Sequence, residues 1–185
     1  MRRIRKTMSA SLPHPPVICV CGCKKSGKTL LVARLVRYFA DRGLSVGTIK
    51  HDGHDFDLGQ SPDREGTDSW RHRAAGAKAS AVFSARRWAL FRDGEPSVET
   101  LVGLMADVDL ILVEGLKGSA WPKIVVYGEG ERPEAEEPIL AVVSREPVEL
   151  PYPRFRPDEV EAIAARIRGL LGKGANDSER FVSLG

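Results

Sequence analysis

The chain contains a single asparagine, Asn176, so the guanine-reading string N-K-x-D of many GTPases cannot be formed. Cysteine is nearly as scarce. Cys19, Cys21 and Cys23 alternate within one short stretch, which excludes a disulfide framework and, with no matching second pair, argues against a thiolate metal site. Small buried fillers suit that pattern better. No apolar run approaches the ~20 residues of a membrane-spanning helix, and the basic start 1–12 (MRRIRKTMSASL) lacks the apolar centre of a secretory signal. A cytoplasmic location with no membrane partner is expected. An excess of one charge is also missing: the formal net charge is +3, so charge gives no support to a nucleic-acid partner.

At 185 residues and 42% apolar content the chain can bury one good core. The expectation is a basic extension over 1–15, one nucleotide-binding α/β domain over 16–172, and a tail over 173–185. Within that domain Gly22-Cys23-Lys24-Lys25-Ser26-Gly27-Lys28-Thr29 fits the phosphate-loop pattern G-x-x-x-x-G-K-[ST]. Its glycines let the backbone curl so that N–H groups point inward at phosphate oxygens, and the next helix adds its positive end. Lys28 is placed to reach the β- and γ-phosphates, and the Thr29 hydroxyl to ligate Mg²⁺. Context supports the pattern: Val17 to Cys21 reads as a buried strand, while Leu30, Leu31, Leu35, Val36 and Phe39 recur at helical spacing.

Leu44 to Lys50 reads as a second strand, so crossover handedness predicts a parallel, doubly wound sheet with helices on both faces. A polar stretch, 51–68, follows; it lacks any apolar period and is long for an idle loop. Asp68 to Ala75 suits a short helix. Ser80–Ser84 and Arg87–Arg92 predict an added β-hairpin. A helix opens near Pro96 with Ser97 as N-cap, and Asp109 to Gly115 is the most apolar run, a central strand. Two more strands are expected at Lys123–Tyr127 and Ile139–Ser144, separated by an acidic connector, and a last helix at Asp158–Leu171.

A phosphate loop needs a carboxylate at the end of a neighbouring strand, because Thr29 supplies only one protein ligand to Mg²⁺. Glu114 is placed for that role, whereas Asp109 starts the same run and belongs at the opposite end of the sheet. The D-x-x-G string Asp63-Arg64-Glu65-Gly66 has no strand before it and is set aside. His51, His54 and His72 share one window with Asp52, Asp55, Asp57 and Asp68, on the side where doubly wound folds bind ligands. One reading puts Asp52 or Asp55 in the Mg²⁺ shell, Asp55 being the residue chosen, with His51, Arg71 and Arg73 gathering a second anionic ligand. Two others stay open: a small-molecule kinase with Asp55 as base and Arg71/Arg73 as clamp, and a metallochaperone GTPase using the histidines.

Together these residues resemble the molybdopterin-guanine dinucleotide biosynthesis adaptor family, MobB. The resemblance runs from about Val17 to Ser144. It rests on the phosphate loop, Gly47-Thr48-Ile49-Lys50-His51, His54-Asp55-Phe56-Asp57, Asp68 to Ala77, Arg87-Trp88-Ala89-Leu90, Asp109 to Lys117 and Pro122-Lys123-Ile124. It implies a homodimeric GTP-binding protein that hydrolyses GTP weakly and assists a guanylyltransferase joining GMP to molybdopterin. Molybdopterin or its carrier proteins are then partners, and the hairpin takes part in dimer contacts. Where the family often has Ser-Asp after the last strand, this chain has Ser144-Arg145-Glu146, which leaves Glu146 as the residue to accept from guanine. Leu30 stands where a second threonine or serine is frequent.

Overall fold

The computed structural model describes residues 14–51 and 63–171. In chain order the elements are β1 (Val17–Gly22), α1 (Lys28–Ala40), β2 (Val46–Lys50), α2 (Asp68–Ala74), β3 (Ala79–Phe83), β4 (Trp88–Arg92), α3 (Val98–Gly103), β5 (Leu110–Glu114), β6 (Lys123–Val126), β7 (Ile139–Val143), β8 (Arg154–Phe155) and α4 (Val160–Leu171). They divide into two compact units, one comprising Met1–His51 with Glu99–Gly185 and the other Asp52–Val98. The single core expected from length is thus accompanied by a smaller unit inserted after β2.

In the larger unit six strands form one sheet in the order β2-β5-β1-β6-β7-β8, every neighbouring pair parallel. Parallel strands are covered on both faces, which explains why β1, β5 and β6 read as near-continuous apolar runs, broken only at their ends by Glu114 and Lys123, rather than alternating ones. Ile18, Val20, Leu110, Leu112, Ile124 and Val126 meet Leu31, Leu35 and Phe39 of α1 and Ile163, Ala164 and Ile167 of α4. Phe39 is fully buried there, and truncating it to alanine is expected to cost about 3–5 kcal/mol. The turn after α3 covers the opposite face of β2, so a Cβ at Gly47 would lie 2.9 Å from Met105 Sδ and 3.3 Å from Val108 Cγ2.

Two details differ from the sequence reading. Leu30 was expected in the α1 stripe but is 54% exposed, whereas Val32 and Tyr38 are buried. The helix begins at Lys28, and at 3.6 residues per turn the stripe Leu31, Val32, Leu35, Tyr38, Phe39 leaves Leu30 on the far side. β8 was missed because two residues after Pro153 carry no periodic signal; backbone pairing with β7 alone defines it.

The smaller unit contains α2 and an antiparallel β3–β4 hairpin whose register runs from Ala79↔Arg92 to Phe83↔Trp88. Thr67 caps α2 by accepting from Trp70 N. Arg73 is the unit's electrostatic centre: Asp63 lies 2.5 Å from its Nη2 and Asp93 2.7 Å from its Nη1. Among the described residues no helix is long and apolar enough to cross a membrane.

Candidate functional site

The phosphate loop leaves β1 through a backbone only glycine tolerates at its first position. Gly22 has φ 153°, and a Cβ there would run into the Val126 carbonyl oxygen, with Ser26 Oγ at 2.9 Å. Lys25 and Gly27 also have positive φ, 65° and 98°. A run of residues in such conformations turns successive N–H groups toward one concavity, the geometry of an anion nest. Helix α1 follows with Gly27 at its N-cap, no capping side chain and no acidic residue in its first turn. Its unsatisfied N–H groups and positive dipole end therefore stay available to an anion.

Three side chains named from the motif have distinct surroundings. Lys28 folds back so that its Nζ donates to Cys23 O over 2.5 Å. Ser26 Oγ is buried without a hydrogen-bond partner, the kind of orphan a bound phosphate oxygen would satisfy. Thr29 Oγ1 donates to Glu114 Oε1 over 2.8 Å. This last contact follows from topology: β5 lies beside β1 with Val20 opposite Glu114, and beside β2 with Lys50 opposite Glu114. Adjacent parallel strands end together, so the carboxylate arrives at the start of α1.

The donor set fits magnesium chemically, since a hydroxyl and a carboxylate are hard oxygen ligands and the ion takes few from protein beside a nucleotide's phosphates. Thr29 and Glu114 would hold it. The loop fits a polyphosphate through Ser26, Lys28 and the free amides of α1.

His51 sits at the edge of this site through its backbone. Its N–H donates to Glu114 O over 3.0 Å, and a Cβ at Gly115, which has φ 110°, would lie 3.2 Å from His51 Cβ. Leu116 follows with φ 57°, a left-handed conformation that costs a non-glycine residue roughly 1–2 kcal/mol. Such strain concentrates where surrounding contacts over-determine a loop. At the opposite end of β5, Asp109 Oδ2 accepts from Ser45 N (2.8 Å) and Ser45 Oγ (2.6 Å), the strand-start role its position implied.

Glu146 lies in an exposed turn after β7, on the same end of the sheet as the loop. Its amide donates to Ser144 Oγ, and Arg154 Nη1 donates to its carbonyl over 3.2 Å. Arg71 and Arg73 belong to the smaller unit. There Arg71 pairs with Asp68 at 3.3 Å, and Arg73 is engaged by Asp63 and Asp93, which gives both guanidiniums local partners that the sequence did not reveal. Asp63, buried at 1% exposure, is a structural anchor for Arg73 rather than part of a D-x-x-G switch. Asp55, with Asp52 and His54, lies outside the described residues. Among those described, no cluster of three or more His, Cys, Asp or Glu is arranged to hold a metal.

The thiols are raised above the ordinary range. Burial pushes Cys21 up to about 11, with neighbouring Cys19 adding to it. Burial also raises Cys19, partly offset by Ser119, whose Oγ lies 3.3 Å from the Cys19 sulfur. Cys23 rises through desolvation and a hydrogen bond to Glu131, opposed by the charges of Lys28 and Lys117. Glu131 and Lys117, which sequence reasoning passed over, therefore border the phosphate loop.

A parallel sheet in this strand order, with a phosphate loop after its first strand and a carboxylate at the end of the neighbouring one, defines an α/β protein of the P-loop NTPase type. The family model for "Molybdopterin guanine dinucleotide synthesis protein B" (MobB) matches residues 17–145, and the chain belongs to that family. It is 34% identical over 160 residues to the molybdopterin-guanine dinucleotide biosynthesis adapter protein of Escherichia coli (strain K12), covering 80% of this chain and 89% of that one. It is 31% identical over 170 residues to a probable adapter protein of the same description from Bacillus subtilis (strain 168), covering 86% and 96%. A crystal structure of molybdopterin-guanine biosynthesis protein B superposes with a TM-score of 0.65 at 29% identity, covering 84% of this chain and 99% of that one.

Proposed function

We propose that the protein is a GTP-binding adapter in molybdopterin guanine dinucleotide synthesis, assisting a guanylyltransferase that joins GMP to molybdopterin. The observation that carries the nucleotide part is the Thr29–Glu114 contact at the mouth of an uncapped helix, beside a loop that holds an orphaned serine hydroxyl. The adapter part rests on the family and on the names of its members. The protein acts in the cytoplasm, with molybdopterin or its carrier proteins as further partners.

The work of each residue follows from its chemistry. The loop amides and the N-terminal end of α1 cradle the phosphates, Ser26 Oγ donates to one of their oxygens, and Lys28 leaves Cys23 O to neutralise the β- and γ-oxygens. Thr29 and Glu114 hold the magnesium, which when bound neutralises phosphate charge and orients the terminal group. Glu146 accepts from the guanine ring. The family resemblance supports GTPase activity, and that activity is weak: among the described residues no arginine finger is evident, and such a group is worth roughly 10³–10⁵-fold in related chemistry. A homodimer forms through the hairpin, where Phe83, Trp88 and Leu90 are exposed apolar residues.

The test is calorimetric titration of the protein with GTP and with ATP, each with Mg²⁺, beside Lys28→Ala. GTP binding that ATP does not match and that the variant loses is the expected result. Equal or tighter ATP binding overturns the guanine reading, and unchanged affinity in a folded Lys28→Ala protein overturns the site itself.

A further inference from the structure

Among the described residues Lys123 is the one buried lysine: it opens β6 with 0% exposure. Burying an ammonium is expensive, and an aliphatic residue would fill this strand position at no such cost. Its partners show what the charge holds. Nζ donates to the backbone carbonyls of Ser119 and Trp121, the latter over 2.9 Å. Both belong to the loop 115–122, which runs from the Glu114 carboxylate back into β6.

That loop is tied to β1 at both ends. Gly115 N donates to Val20 O and Cys19 N donates to Pro122 O, each over 2.9 Å. Cys19, directly opposite Lys123 in the sheet, adds a contact from its sulfur to Ser119 Oγ. Within the loop Leu116 holds its left-handed backbone, and Ser119 N donates to Leu116 O. A strained turn opens readily unless something beneath it pulls. The buried ammonium, hydrogen-bonded to two carbonyls, supplies that pull.

We propose that Lys123 is the positioning residue of the phosphate side: from inside the sheet it locks the loop 115–122, and through Gly115 it fixes the Glu114 carboxylate against Thr29. This rests on the nucleotide reading given above only for its consequence at the metal; the locking itself is a property of the free protein. The same loop carries Lys117 into electrostatic reach of Cys23.

The test uses Lys123→Met, which keeps the reach of the side chain and removes its donors. Amide hydrogen exchange is measured on the nucleotide-free protein at Ser119, at Gly115 and at His51, whose N–H reports on Glu114 O. All three are expected to exchange about tenfold faster than in wild type, with the α1 amides unchanged. Unchanged exchange at all three, or loosening confined to Ser119, overturns the proposal. Mg²⁺ titrations with GTP then read the consequence: the factor by which Mg²⁺ tightens GTP falls about tenfold, while Mg²⁺-free affinity holds. A loosened loop with an unaltered Mg²⁺ factor reduces Lys123 to a structural residue and also overturns it. If the wild type binds no GTP, the nucleotide reading fails and the exchange data alone decide the lock. Should Lys123→Met fail to fold, ¹⁵N-lysine labelling of the wild type replaces it: a slowly exchanging Lys123 ammonium signal is expected, and its absence overturns the proposal.

Discussion

Thr29 and Glu114 are 85 residues apart in sequence and 2.8 Å apart in space, the hydroxyl of one donating to the carboxylate of the other. The contact joins the first residues of α1 to the last residue of β5, and it exists because β5 is inserted beside β1 in a parallel sheet. No local feature of either segment predicts it. Strand polarity does, since parallel neighbours deliver their carboxyl ends to one edge.

If that pair holds the magnesium, Glu114→Gln keeps shape and hydrogen bonding but removes the charge. The Mg²⁺ dependence of GTP binding is expected to weaken about ten- to hundredfold, the worth of one charged oxygen partner. Binding without Mg²⁺ should change little or even improve, because a carboxylate no longer faces the phosphates. Calorimetry with and without EDTA separates the two, and an equal loss under both conditions would show that Glu114 acts on folding rather than on the metal.

Gly22 offers a sharper steric case. A methyl group there meets the Val126 carbonyl on the adjacent strand, and φ 153° is unfavourable to any side chain. Backbone atoms in a parallel sheet cannot yield as a flexible side chain does, so Gly22→Ala should cost about 1–3 kcal/mol and deform the phosphate nest. Gly27→Ala, with open space around the added Cβ, carries only the penalty of its left-handed φ. Chemical denaturation of both variants checks the order; a Gly27 variant less stable than the Gly22 one would contradict it.

The parts of the molecule legible in sequence are those with a local cause. The phosphate loop is written in consecutive residues. The hairpin announces itself through two β-rich runs around Ser84 to Arg87, where Ser84 accepts from the amides of Arg86 and Arg87. Glu114 could be placed because an apolar run gives its own strand ends. What escaped depends on tertiary neighbours. Lys123 looks like a polar strand edge until its burial is seen, and Arg73 looks like a free anion clamp until Asp63 and Asp93 close on it. Leu30 shows that a stripe can be right in phase, with Leu31, Leu35 and Phe39 buried, and still take in a residue that lies off its flank.

The hairpin makes the oligomeric state testable. Phe83 is 83% exposed and pairs across the strands with Trp88, 66% exposed. Large aromatics are the anchors on which interfaces depend, each worth about 2 kcal/mol or more when central. If the hairpin forms the proposed dimer, Trp88→Ser should raise its dissociation constant roughly thirtyfold, read by analytical ultracentrifugation across concentration, while thermal unfolding of the larger unit stays in place. A wild type that sediments as a monomer at every concentration would remove the hairpin as a dimer surface.

Tyr152 and Glu137 supply a pH signature remote from the phosphate side. The Tyr152 hydroxyl donates to Glu137 Oε1. This bond first, and the Ile139 N–H second, hold the Glu137 carboxyl below its usual range; the same bond is the leading cause that raises Tyr152. A lowered carboxylate contributes stability above the unfolded value of about 4.3 and loses it as pH falls through the lower folded value. A raised phenol contributes fully below the unfolded value of about 10 and loses its share as pH rises through the higher folded one. The stability difference between wild type and Tyr152→Phe should thus form a plateau across neutral pH and fall on both flanks. The acid fall of that difference is smaller than the full Glu137 effect, since in the variant the Ile139 amide still bonds Glu137 over 2.8 Å. Urea midpoints measured from about pH 3 to about pH 11 trace the curve, and a difference constant over that whole range would show that the hydroxyl contributes packing alone.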